Sequence, residues 1–306
     1  MAALTILGGL FATSAPALTI IPTFGATGGA SAFSAGDIAC INSVISLYQN
    51  TFTDPITVNI TFNNVNTGLG QSSTSIFSTS YGNIHTRLIA DATSTDDTAA
   101  LAALAASAPV SDATSVTLSE ANGKALGFSF GAGQDSTIGL NAGLCFNQHT
   151  AAAAAANPSR YDLFAVASHE LDEALGTISG VGGASLFSAD FYRYNGNSTG
   201  TLSGGRSFTT STSVHAWFSI NGTTALDEYN QFNHQPGDYG DWVVHSPNQV
   251  QDYAGTPGQL ADPNVELRLL DVVGFNRAIV PEPSSLALLT LGALAFARRR
   301  KTGKSA

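Results

Sequence analysis

Charge is scarce in this 306-residue chain: Asp, Glu, Lys and Arg make up only 11% of it. Of its 12 Lys and Arg residues, five (Arg298, Arg299, Arg300, Lys301 and Lys304) fall in the last nine positions. Residues 1–297 therefore hold seven basic against all 22 acidic side chains, a net charge of −15. Such a field repels phosphate backbones, and no basic patch interleaved with aromatics is present, so nucleic-acid binding is excluded. There are two cysteines, Cys40 and Cys145, and they form no Cys-x-x-Cys pair. Cysteine-ligated zinc and dithiol redox chemistry are thereby excluded, and one disulfide at most is open to the chain. No internal repeat is visible, which excludes solenoid architectures.

What the sequence has in quantity is Ala, Ser, Thr, Gly and Asn, with 43% hydrophobic residues, enough for a full core. This composition is compatible with export. Residues 2–18, "AALTILGGLFATSAPAL", form an apolar run ending in small residues, as a signal peptide does, although the basic segment that normally precedes it is lacking. A buried N-terminal strand is the alternative for this stretch. At the other end, Val280-Pro281-Glu282-Pro283 precedes an apolar stretch from Leu286 to Ala297 and four basic residues, Arg298 to Lys301. The stretch is short for a stable span of about 20 residues, and the basic cluster would hold its end on the cytoplasmic side. Residues 280–306 resemble the PEP-CTERM sorting tail. The resemblance implies a Gram-negative exporter, transient membrane association through the tail, processing by an exosortase, and a final location at the cell surface or outside the cell.

Between the ends, helical spacing of Ile38, Ile41, Ile45 and Tyr48 predicts a helix over 35–50, and "ITVNITF" (56–62) alternates as a half-buried strand does. Further helices are expected at "YGNIHTRLIADA", at "TDDTAALAALAASAP" and near "VELRLLDVVGF". "SVTLS", "STIGLN" and "HAWFSI" read as strands. The pattern is α+β without strict βαβ alternation, and it predicts one domain over 19–279, with two lobes around a single long helix.

That helix carries "SHELDEALG", residues 168–176. At about 100° per residue, His169 and Glu173 lie about 40° apart, with Glu170 about 100° from His169. Leu163, Ala167, Leu171, Ala174, Leu175 and Ile178 fall on the opposite arc. Two candidate metal ligands one turn apart, with a carboxylate beside them, are what a helix-borne metal site needs: His169 and Glu173 would bind, and Glu170 would serve as general base. Taken alone, the same residues also fit an acidic solvated face.

Five blocks occur in order: "EANGKALGF" (120–128), "YDLFAVASHELDEALG" (161–176), "FSADFYRYN" (187–195), "GDYGDW" (237–242) and "LRLLDVVGF" (267–275). Together they resemble a family of PEP-CTERM-tailed bacterial metalloproteases whose relatives carry His-Glu-x-x-Glu in place of His-Glu-x-x-His. The resemblance covers roughly residues 35 to 300. It implies a zincin-like fold, zinc, and hydrolysis of peptide bonds in a peptide or protein substrate.

For the third ligand, Asp190 in "SADFYRY" is the first candidate; it reads either as a ligand or as the partner of Arg193. His215 is the second, and His234 and His245 follow as surface histidines. One His with two carboxylates is a harder donor set than two His, open to metals other than zinc. Asp238 and Asp241 form an acidic turn that could hold calcium, without a full calcium-loop motif. "GNSTG" (196–200) matches Gly-x-Ser-x-Gly, but its polar flanks exclude a nucleophile elbow at Ser198. The rival to a secreted metallopeptidase is a non-catalytic cell-surface or matrix protein on the same fold, because a second anionic ligand weakens the metal's action on bound water.

Overall fold

In the computed structural model, residues 17–278 are described. Residues 1–16 of the expected signal segment and the whole sorting tail lie outside them. The chain begins with β1 (Thr19–Ala26), α1 (Ala35–Thr51) and β2 (Thr57–Asn64). Ser34 starts α1 through a capping box: its Oγ accepts from the Asp37 N–H, and the Asp37 carboxylate accepts from the Ser34 N–H at 2.9 Å. Ile41, Val44, Ile45 and Tyr48 then fall on one buried face. In β2, Val58, Ile60 and Phe62 alternate inward.

Next come β3 (Gly70–Thr74), β4 (Ile76–Ser80), α2 (Tyr81–Asp91), α3 (Thr95–Ala106), β5 (Ser115–Ser119), α4 (Glu120–Ala125) and β6 (Ser136–Leu140). The first sheet has the order β1-β2-β6-β3. Its first two pairings are parallel and the last is antiparallel, so β3 forms an antiparallel edge. β1–α1–β2 is thus one parallel crossover unit, which the expectation of no strict βαβ alternation leaves room for. β1 escaped notice because Pro22 and its exposed Ile21 and Phe24 blur the alternation; an edge strand tolerates both.

The chain continues through β7 (Cys145–Phe146), α5 (Ala151–Ala156), β8 (Tyr161–Asp162) and α6 (Leu163–Leu175). The last elements are β9 (Arg193–Gly196), β10 (Leu202–Arg206), β11 (His215–Phe218), β12 (Asp227–Glu228) and α7 (Val265–Val272). A second sheet has the order β10-β9-β11-β12. The result is a mixed α/β fold with seven α-helices among the described residues. A single buried apolar cluster takes Ile20 and Val58 from the first sheet, Ala216 and Phe218 from the second, and Leu171 and Leu270 from α6 and α7. The expected two lobes therefore share one continuous core.

α6 is the element that places the chemistry. The Asp162 carboxylate caps it by accepting from the Phe164 N–H at 3.1 Å. Gly176 ends it at φ +146°, where a Cβ would also come within 3.2 Å of Asn122 Cβ. The helix packs against β3, β6 and α1. Leu163, Ala167, Leu171, Ala174 and Leu175 are fully buried, as the wheel predicts. Ile178 lies beyond the end of the helix and lines the cleft instead.

Candidate metal centre

The polar side of α6 forms the floor of a cleft of about 410 Å³, walled by Leu69–Ser72 on β3 and its approach, by Tyr161, and by the loops around Asp241, Gln249 and Tyr253. His169 is half-buried there, and Glu170 and Glu173 are buried. The side-chain donors of His169, Glu173 and Asp241 all lie within 4.8 Å of one another. His169 Nε2 stands 3.7 Å from Glu173 Oε1 and 3.6 Å from Asp241 Oδ1. A tetrahedral ion with bonds of about 2.0–2.2 Å would hold its ligand atoms roughly 3.3–3.6 Å apart.

Each of the three is oriented by a neighbour. His169 Nδ1 donates to the Val250 carbonyl at 2.9 Å, which leaves Nε2 facing the carboxylates. Ser72 Oγ donates to Glu173 Oε2 at 2.6 Å, turning Oε1 toward the histidine. The Asp238 N–H donates to Asp241 Oδ2 at 3.0 Å, and Gln251 Nε2 donates to Asp241 Oδ1 at 3.2 Å. The acidic turn is therefore real, yet the same carboxylate that closes it also faces His169. This takes Asp241 away from the separate calcium site with Asp238.

Ionisable side chains crowd the floor of the cleft and shift one another. Burial acts to lower the His169 pKa, but Asp241, Glu173 and Glu170 outweigh it and raise it to about 10. Burial lifts Asp241 to about 6, against the pull of His169. Glu170 is pushed well above the usual carboxylate range by burial, with His169 opposing and Glu173 adding to the rise. Its Oε2 is buried without any hydrogen-bond partner. Gly70 makes room for this side chain: a Cβ there would fall 2.3 Å from Glu170 Oε1. Among the described residues, no Lys or Arg lines the cleft. Three convergent donors, a fixed imidazole tautomer and an unpartnered carboxylate oxygen together fit a divalent metal.

Asp190, the first sequence candidate for third ligand, is not part of this group. It is completely buried, and its carboxylate accepts from Ser179 Oγ at 2.6 Å, from the Gly180 N–H at 2.8 Å and from the Phe187 N–H at 2.9 Å. It stands 4.0 Å from Arg193 Nε, so the structural alternative left open by the sequence is the one realised. His215 is also elsewhere: its Nδ1 meets the Glu228 carboxylate and its ring stacks on Phe232. His234 stacks on Tyr239, and His245 pairs with Asp227 and Asp252. Cys40 and Cys145 are buried free thiols, both raised to about 12 by burial, so neither is a ready nucleophile.

Residues 280–301 match the family model described as the PEP-CTERM protein-sorting motif. No curated protein and no solved structure matches the chain. The class defined at this point is that of PEP-CTERM-tailed proteins, exported and sorted to the cell surface in Gram-negative bacteria by an exosortase-type enzyme that recognises the tail. Among the described residues no helix is long and apolar enough to cross a membrane. The match covers the tail alone, and the chemistry of the rest has to be argued from the cleft.

Proposed function

We propose that this is a cell-surface or secreted metallopeptidase in which His169, Glu173 and Asp241 hold a divalent metal, zinc in the first instance, and Glu170 is the general base. The zincin-like family implied by the His-Glu-x-x-Glu helix belongs to the same reading. The observation that carries it is the convergence of the three donors in an open cleft beside the unpartnered Glu170 Oε2. A metal held there would supply Lewis acidity to a scissile carbonyl and lower the pKa of a water. Glu170, kept off the donor trio, takes the proton of that water and returns it to the leaving amine. β3 is an edge strand beside the cleft, so an extended peptide can pair with its backbone. Tyr161, Tyr253, Leu69 and Val166 offer apolar surface for its side chains.

The test is metal content of the purified full chain by elemental analysis, with cleavage of an unstructured protein substrate in parallel. His169→Ala, Glu173→Ala and Asp241→Ala should each lose metal, whereas His215→Ala should keep it. Glu170→Gln should keep the metal and lower hydrolysis by about 10²-fold or more. A metal-replete Glu170→Gln variant with full activity overturns the role of Glu170. Absence of metal from the wild type under all divalent ions tried overturns the site.

A further inference from the structure

Gln251 is 1% exposed, and its side chain meets His169 and Asp241 of the donor trio. Its backbone is fixed independently of its side chain: the Gln251 N–H donates to Glu266 Oε1 at 2.9 Å, and the Trp242 N–H donates to the Gln251 carbonyl at 2.8 Å. The side-chain Nε2 lies 3.3 Å from His169 Nε2 and 3.2 Å from Asp241 Oδ1. These are the spacings between neighbouring ligand atoms on a small tetrahedral ion, roughly 3.3–3.6 Å. The Gln251 Oε1 atom, meanwhile, is buried and has no hydrogen-bond partner. A buried amide oxygen left unpaired has lost its hydration with nothing to replace it.

Both observations have one resolution. The amide NH₂ donates to Asp241 Oδ1 and stands against His169 Nε2. A cation held by those two atoms would repel the NH₂ protons and attract the amide oxygen. Half a turn about the Cγ–Cδ bond then exchanges the nearly isosteric O and N, placing Oε1 where Nε2 stood. We infer that Gln251 is the fourth protein ligand of this centre, binding through its amide oxygen. The donor set becomes one imidazole, two carboxylates and one neutral oxygen. This inference rests on the metal reading of His169, Glu173 and Asp241.

The role can be separated from simple positioning by two variants at the same residue. The full chain, its Gln251→Ala variant and its Gln251→Glu variant are titrated with Zn²⁺ against a chelating indicator, and with Co²⁺ by visible absorption. If Oε1 is a ligand, Gln251→Ala weakens Zn²⁺ binding by about 10-fold or more and alters the Co²⁺ bands. Gln251→Glu, which keeps a ligating oxygen and adds charge, then binds Zn²⁺ at least as tightly as wild type. If Gln251 serves only as an N–H donor to Asp241, Gln251→Glu removes the donor and opposes the carboxylate, so its affinity falls below that of wild type. That result, or an unchanged Co²⁺ spectrum in Gln251→Ala, overturns the inference while leaving the three-residue site standing. A wild-type chain that takes up neither ion overturns the metal reading itself.

Discussion

Replacing Asp190 with Asn removes a negative charge from a place where nothing else neutralises Arg193. Both side chains are completely buried, and Asp190 is the one ion-pair partner of Arg193 among the described residues. The other groups around the guanidinium are neutral: the Ser207 and Tyr239 carbonyls, Gln231 Oε1, and the Tyr229 ring 3.9 Å below. At a separation of 4.0 Å the attraction is about 4 kcal/mol at an effective dielectric constant of about 20. Breaking a buried pair by removing one partner costs about 3–5 kcal/mol by experiment on other proteins, so the two routes agree. Asn can keep its side-chain oxygen on the Gly180 and Phe187 N–H groups, which both donate to Asp190 Oδ2, and turn its NH₂ group to Ser179 Oγ, so the lost charge is the main cost. Asp190→Asn should therefore lose about 3–5 kcal/mol in urea unfolding, or roughly 10 °C in melting temperature, with metal stoichiometry unchanged. The double variant Asp190→Asn with Arg193→Met leaves no bare charge and should recover part of the loss. Loss of metal from a folded single variant of near wild-type stability would restore Asp190 as a ligand and refute the argument.

Gly70→Ala places a methyl group 2.3 Å from Glu170 Oε1 and 2.9 Å from Val166 Cγ1; peptide hydrolysis should fall at least about tenfold with metal retained, at a cost of about 1–3 kcal/mol in urea unfolding. His245 is raised to about 10 by its hydrogen bonds to Asp227 and Asp252, which outweigh burial. Its stabilising contribution is complete below the unfolded value of 6.5 and is lost as pH rises through about 10. Wild type should accordingly lose urea resistance between those pH values, and His245→Gln should show a shallower decline. Deleting residues 281–306 should move the protein from the cell surface to the medium without lowering its melting temperature, as checked by fractionation and calorimetry.

Elements with a clean period were legible in advance. α1, β2, α2, α3, β5, β6, α6, β11 and α7 all fall where spacing of apolar residues and capping residues put them. β3 and β4 were not, because "GQSST" is nearly all small or hydroxylated and in "IFSTS" the exposed Ile76 stands beside the half-buried Phe77, so neither shows an apolar–polar alternation. Within the site, His169, Glu170 and Glu173 could be placed together because they share one helix and its geometry is fixed by sequence spacing. Asp241 could not, since it reaches the helix by tertiary folding alone. The signal present was "GDYGDW", where an aspartate lies next to a fully buried Trp242 and behind a turn that uses only one of its oxygens. Asp190 had the same local look, an aspartate among aromatics, but a buried arginine three residues on is the stronger pull.

The site also depends on the end of the fold in a way no motif on α6 discloses. Glu266, on α7, accepts from the Trp242 indole at 3.2 Å and from the Gln251 N–H at 2.9 Å. Trp242 follows Asp241 directly, and Gln251 follows Val250, whose carbonyl fixes the His169 ring. One buried carboxylate thus holds both loops that complete the centre, and burial raises its pKa although three backbone N–H groups support the charged form. Beneath the helix, Asp172 lies wholly buried beside Tyr48, with neither oxygen hydrogen-bonded; burial and the charge of Glu266 push its pKa well above the usual range, which favours the protonated form. A fold selected for stability alone would fill these positions with apolar side chains, because a buried carboxyl without a full set of partners is a net cost. Their concentration in one layer, between α6, α7 and the Asp241–Gln251 loop, is what a polar centre of fixed geometry requires, and it makes the centre a product of tertiary assembly rather than of a nine-residue motif.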